Sequence, residues 1–254
     1  EATPRQAYVL KGVSMAGAKF ERQETGFVNA VNRAVRSAKG PINIVFKNGA
    51  RLSGVKKAFK YVGRTSSGSE PLTDVCLETT DGKKHNLSMK GKDSPSIAGG
   101  GVAGINELEP ELLPSFLTEA VRKYKQLGYK KGDSIPDLYG EIGERAKISL
   151  LVGSKSTGGP IHFLYTGPMD VSSRLDGTNL TVNGNLFTPK EYAKKSLFLR
   201  IRKRREDQPF DPNLRDRQGF PAILGKSPSK GDSNRRIVIS KRIPVNALSI
   251  RVNK

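Results

Sequence analysis

The stretch from Thr73 to Lys90 constrains the fold more than any other part of the chain. Val75, Leu77, Leu87 and Met89 alternate with Asp74, Cys76, Glu78, Asn86, Ser88 and Lys90 around Asp81-Gly82-Lys83, the period of a half-buried hairpin. A three-residue loop at Asp81-Gly82-Lys83 sets Val75 opposite Met89 and Leu77 opposite Leu87, collecting one apolar face. The other face then pairs Asp74 with Lys90, Cys76 with Ser88 and Glu78 with Asn86. A two-residue loop at Asp81-Gly82 would set Asp74 against Met89 and mix the faces, so the hydrophobic pattern selects the longer loop. This register puts a carboxylate beside a lysine.

Upstream, Phe20, Phe27, Val28, Val31 and Val35 recur at helical spacing and predict a one-sided helix from Phe20 to Ala38. Glu24 falls about 40° from Phe20 and about 20° from Val31 on the helical wheel, inside the apolar stripe. An acid facing a core requires a reason. Lys39-Gly40-Pro41 ends the helix, Ile42–Phe46 reads as a strand, Lys47-Asn48-Gly49-Ala50 as a tight turn, and Arg51–Val62 as a returning strand. Arg64–Glu70 and the Gly-rich Gly91–Gly104 read as loops, the second a mobile one directly after Lys90. Helices are expected at Leu112–Leu127 and within Pro136–Val152. Strands are expected at Ile161–Tyr165, Leu180–Val182, Ser196–Arg202 and Arg236–Lys241, with a long loop from Arg204 to Asp232.

Charge narrows the partner. Forty-four Lys and Arg against 24 Asp and Glu give +20, a balance suited to a polyanion such as DNA, RNA or an anionic capsid lumen. From Lys194 to Lys254 there are 17 basic and 5 acidic residues, a net +12. In Arg200-Ile201-Arg202-Lys203-Arg204-Arg205 the alternation of Arg with Leu199 and Ile201 predicts a strand that buries one face. Its other face would offer Arg200, Arg202, Lys203, Arg204 and Arg205 to DNA phosphates. No 18-residue apolar run and no basic amphipathic helix argues for membrane insertion. The Gly-rich segments lack the spacing of a nucleotide-binding phosphate loop. A lone cysteine, Cys76, excludes an internal disulfide and fits a reducing interior. With only His85 and His162 beside it, a structural zinc site is not expected. No signal peptide is recognised, so the expected location is a host-cell interior or a virion.

Two acids beside a lysine can hold Mg²⁺ and activate a water next to a phosphodiester. The helix with Gln23-Glu24, then Asp74, a hairpin and Ser88-x-Lys90 resembles the PD-(D/E)XK nuclease fold of restriction endonucleases and phage nucleases. The resemblance runs from Phe20 to about Gly104, on a short and degenerate signature. It implies that Glu24 and Asp74 bind the metal and that Lys90 orients or deprotonates water. The acid that the family usually carries two residues before the lysine is Ser88 here, leaving that residue to assist through a hydrogen bond and Glu78, on the same face, as a substitute metal ligand. The Ser-Met-Lys-Gly sequence and the Gly-rich loop also resemble nuclease-like proteins of phages and large DNA viruses.

The expected architecture is α/β: a mixed sheet flanked by helices with a restriction-endonuclease-like core, and a basic β-rich carboxy-terminal region. The expected division is an arm over 1–19, a core over 20–160 and the basic region over 161–254. The expected function is Mg²⁺-dependent hydrolysis of duplex DNA. Its rival is a non-catalytic, virion- or capsid-associated structural protein that keeps the nuclease-like fold, contacts capsid proteins or packaged genome, and forms homo-oligomers.

Overall fold

The computed structural model describes residues 15–63, 65, 71–92, 101–195, 197–202, 208–215, 219, 221–225, 236–240 and 244–252. Most of the expected amino-terminal arm, the centre of the Gly-rich loop and Lys203–Arg205 therefore lie outside the described residues. No described helix is long and apolar enough to cross a membrane.

The first element, α1 (Met15–Ala38), starts within the expected arm. It buries Phe27, Val31 and Ala34, one face at helical spacing. It ends where Lys39 turns left-handed at φ 53° and the Gly40 N–H bonds the Val35 carbonyl at 3.3 Å. Then β1 (Ile42–Val45), β2 (Arg51–Lys60), β3 (Val75–Thr79) and β4 (Lys84–Gly91) form an antiparallel meander. The chain crosses over through α2 (Gly101–Leu108), α3 (Leu112–Gln126), β5 (Leu138–Glu141) and α4 (Glu144–Val152). It returns as β6 (Phe163–Gly167), parallel to β4.

The hairpin of β7 (Ser173–Asp176) and β8 (Asn179–Val182) then joins the opposite edge, with β8 parallel to β1, and β9 (Asn185–Phe187) pairs with β6. The resulting order is β7-β8-β1-β2-β3-β4-β6-β9. After α5 (Pro189–Ala193) come β10 (Phe198–Arg202), β11 (Phe210–Arg215), β12 (Pro221–Leu224), β13 (Arg236–Ser240) and β14 (Leu248–Arg251). A second sheet runs β13-β10-β5-β14, and β11 pairs with β12.

The large sheet curls around one apolar core. Phe27 and Val31 of α1 pack with Ile44, Leu77, Leu87 and Tyr165, and each such side chain removed from water contributes about 1.5–3 kcal/mol. The turn after β1 closes onto the far edge: the Lys47 N–H bonds the Gly184 carbonyl at 2.8 Å, and the Asn48 amide bonds both the Leu186 carbonyl (2.7 Å) and N–H (3.1 Å). A second core joins α3, α4 and the second sheet through Phe116, Tyr124, Leu138, Leu151 and Leu199.

The mixed α/β sheet is as expected; four details are not. The hairpin register is displaced by two residues, with Val75 opposite Leu87 and Leu77 opposite His85. The loop is Thr80-Asp81-Gly82, closed by the Thr79 N–H to the Lys83 carbonyl at 3.0 Å, with Gly82 at φ 77°. A glycine at the third position of such a loop supplies the left-handed residue that the turn requires. Asp81 Oδ1 accepts from the Thr79 hydroxyl and the Lys83 N–H, fixing it there. Because the displacement is even, both faces keep their members, but Lys90 no longer stands opposite Asp74.

Pro136–Val152 is a strand and then a helix, since Gly140 lies so close to the Phe116 ring that a Cβ there would be 2.4 Å from it. The expected loop over 204–232 contains β11 and β12. Residue 160 marks no boundary between sheets, as strands from both sides of it share the two larger ones.

Candidate functional site

One corner of the large sheet gathers α1, the end of β2, the start of β3 and the ends of β4 and β6. Gln23 sets it. Fully buried, it donates from Nε2 to the carbonyls of Gly167 (3.0 Å), Pro168 (3.0 Å) and Lys90 (3.3 Å). This fixes the helix over the strand ends and carries the next residue, Glu24, to the rim. The Glu24 side chain is 18% exposed and its Oε2 lies 3.1 Å from Lys60 Nζ. Burial first, and then the charge of Asp74, push the Glu24 carboxyl above its usual range, while Lys60 pulls it back. Glu24 and Asp74 are therefore electrostatic neighbours although they are far apart in sequence.

Asp74 is held from three sides. Its N–H bonds the Leu87 carbonyl and its carbonyl accepts from the Tyr61 N–H, each at 2.9 Å. Its Oδ2 accepts from the Met89 N–H at 2.5 Å and from the buried Ser88 hydroxyl at 3.3 Å. Ser88, at the position where the resembling family carries an acid, thus orients the carboxylate by a hydrogen bond.

The other expected members are not brought in the same way. In β4, Met89 pairs with Tyr165 on the α1 side, whereas Ser88 pairs with Leu164 and Lys90 with Thr166. Alternation therefore sends the Lys90 side chain to the face away from α1. Its tie to the corner is its carbonyl, through Gln23. Glu78 stands four residues along β3 from Asp74, about 13 Å at strand rise, and pairs with Lys56 at 2.8 Å, which holds its carboxyl below the usual range. The structure does not bring it to the corner.

Arg200 is engaged within the protein, with Nε 2.9 Å from Asp137 Oδ2, Nη2 on the same oxygen and the guanidinium over the Tyr139 ring at 5.3 Å. Leu199 and Ile201 are buried beside it, and Arg202 is exposed. Lys203, Arg204 and Arg205 lie outside the described residues.

Sequence reasoning passed over Lys60 and Asn32. Lys60 pairs with Val75 across β2 and β3, one residue from Asp74. Asn32 bonds the Ala58 carbonyl (2.8 Å) and N–H (2.9 Å), closing the part of β2 that extends past β1. A polar residue on a helix face beside a strand edge was the available signal for both.

Among the described residues no group of three or more His, Cys, Asp or Glu side chains forms a closed metal cage. The donor set at the corner is two carboxylates and a hydroxyl. It fits Mg²⁺, which commonly takes one or two carboxylates and completes its shell with water and substrate phosphate. Comparison with protein-family models, curated proteins and solved structures finds no match to this chain.

Proposed function

We propose that this chain binds duplex DNA and hydrolyses its phosphodiester bonds with Mg²⁺ at the Glu24–Asp74 corner. The observation that carries the reading is the shared field of these two carboxylates at the end of a sheet, on a chain of net charge +20. The order helix, antiparallel meander, helical crossover, parallel strand supports a restriction-endonuclease-like core. Bound there, the metal would polarise a phosphoryl oxygen and lower the pKa of water. Ser88 and the Met89 N–H hold the Asp74 carboxylate in place, and Gln23 holds the helix that supplies Glu24.

A second reading, genome binding without cleavage by a virion- or capsid-associated protein, is favoured by one observation: an ammonium occupies Glu24 where a metal would sit. Supercoiled plasmid incubated with Mg²⁺ or Mn²⁺ separates the two. Nicking that disappears in Asp74→Ala, with duplex binding kept within a few-fold, supports hydrolysis. Tight binding with intact plasmid supports the second reading.

A further inference from the structure

The resemblance assigns the lysine of the site to Lys90, but the fold offers a different one. Lys60 Nζ lies 3.1 Å from Glu24 Oε2. Lys60 is the Cα partner of Val75, and the next residue, Tyr61, donates its N–H to the Asp74 carbonyl. It therefore shares the α1 side of the sheet with both carboxylates. Its side chain is 36% exposed, so the ammonium touches the acidic pair and also reaches solvent, where a phosphate would arrive. Lys90 points to the opposite face and has no ion-pair partner among the described residues.

We propose that Lys60, rather than Lys90, is the lysine that serves this corner: it neutralises Glu24 while the site is empty and contacts the phosphate oxygen of bound DNA once a divalent cation takes its place on the carboxylates. This rests on the hydrolytic reading above. An ammonium is a compact point charge on a flexible stem, suited to moving between a carboxylate and a phosphate. Until displaced, it competes with any cation for Glu24.

Two measurements on the full chain test the assignment. In the nicking assay, Lys60→Met lowers kcat by roughly a hundredfold, as expected for loss of a group that stabilises transition-state charge, with KM for plasmid little changed. Lys60→Arg restores most of it, and Lys90→Met stays within a few-fold of the parent.

If the parent does not nick, the hydrolytic reading fails, and the assignment is decided by Mn²⁺ binding followed by electron paramagnetic resonance. There Lys60→Met tightens Mn²⁺ binding by roughly tenfold, the expected size for removing one competing charge beside a partly buried carboxylate, and Lys90→Met leaves it unchanged. Equal effects of the two substitutions, or Mn²⁺ affinity unmoved by Lys60→Met, overturn the proposal.

Discussion

Asp74 Oδ2 takes hydrogen bonds from the Met89 N–H and the Ser88 hydroxyl, so the same carboxylate that would face a metal also ties the start of β3 to β4. Hydrogen bonds to charged groups contribute about 1.5–3 kcal/mol. Asp74→Ala is therefore expected to lower unfolding free energy by about 2 kcal/mol, and Ser88→Ala by about 1 kcal/mol, in urea titration. A loss of nicking in Asp74→Ala has to be read beside that cost.

Tyr165 shows the opposite case. Its ring is fully buried against Phe27 and its hydroxyl has no hydrogen-bond partner. Burial pushes the phenol up to about 12 from an ordinary value of 10.0. Between these values the folded state keeps a proton that the unfolded state releases, so stability contributed by the phenol falls as pH rises from about 10 to about 12. Tyr165→Phe removes a buried orphan hydroxyl and is expected to match or exceed the parent in stability by up to about 1 kcal/mol at pH 7. It should also flatten the alkaline loss of stability, measured by thermal unfolding at stepped pH. A Tm clearly below the parent's would mean that the hydroxyl has a partner in solution.

At the scale of elements, β2 runs past the start of β1 and its outer edge is covered there by a side chain from α1. The Asn32 amide copies the two-point pairing of a missing strand at Ala58, one of the ways natural sheets blunt an open edge. Asn32→Ala is expected to cost about 1–2 kcal/mol and to speed amide exchange at Ala58, while Asn29→Ala, on the exposed face of the same helix, does neither.

This contrast bears on how much of the fold was legible in the sequence. The two faces of the β3–β4 hairpin were, because a displacement of two residues leaves alternation untouched. The register was not, because it depends on whether Gly82 takes the centre or the end of the loop. The inward aim of Glu24 followed from helical phase alone. The place of Lys60 did not, since it depends on β2 pairing with β3 across residues 61–74. Gly140 and Pro136 inside the supposed helix at 136–152 were signals of a strand; what makes them necessary is Phe116, on another element. The partnership of Arg200 with Asp137 spans 63 residues, beyond any local pattern.

For the whole molecule, +20 of net charge makes duplex binding strongly salt-dependent, with about one unit of log–log slope for each phosphate neutralised. Arg202 is exposed and Arg200 is held by Asp137. Arg202→Ala is expected to reduce the slope by about one unit. Arg200→Ala should leave the slope alone and lower stability by about 1–3 kcal/mol as Asp137 loses its partner. Fluorescence anisotropy at stepped salt, beside urea unfolding, checks both, and a slope change in Arg200→Ala alone would reverse the assignment.

The pairing of β8 with β1 sets an order in time as well as in space. Asn43 and Asn179 sit side by side across 136 residues of intervening chain, so β1 leaves the ribosome long before the strand that covers its outer edge exists. During that interval Ile42 and Ile44 belong to an incomplete sheet whose backbone groups are open to pairing with another nascent chain. Loop-closure entropy over such a distance slows the final docking. The last step of folding is therefore expected to be the arrival of β7 and β8. A chain interrupted after residue 160 should gather as β-rich aggregates rather than as a stable amino-terminal half.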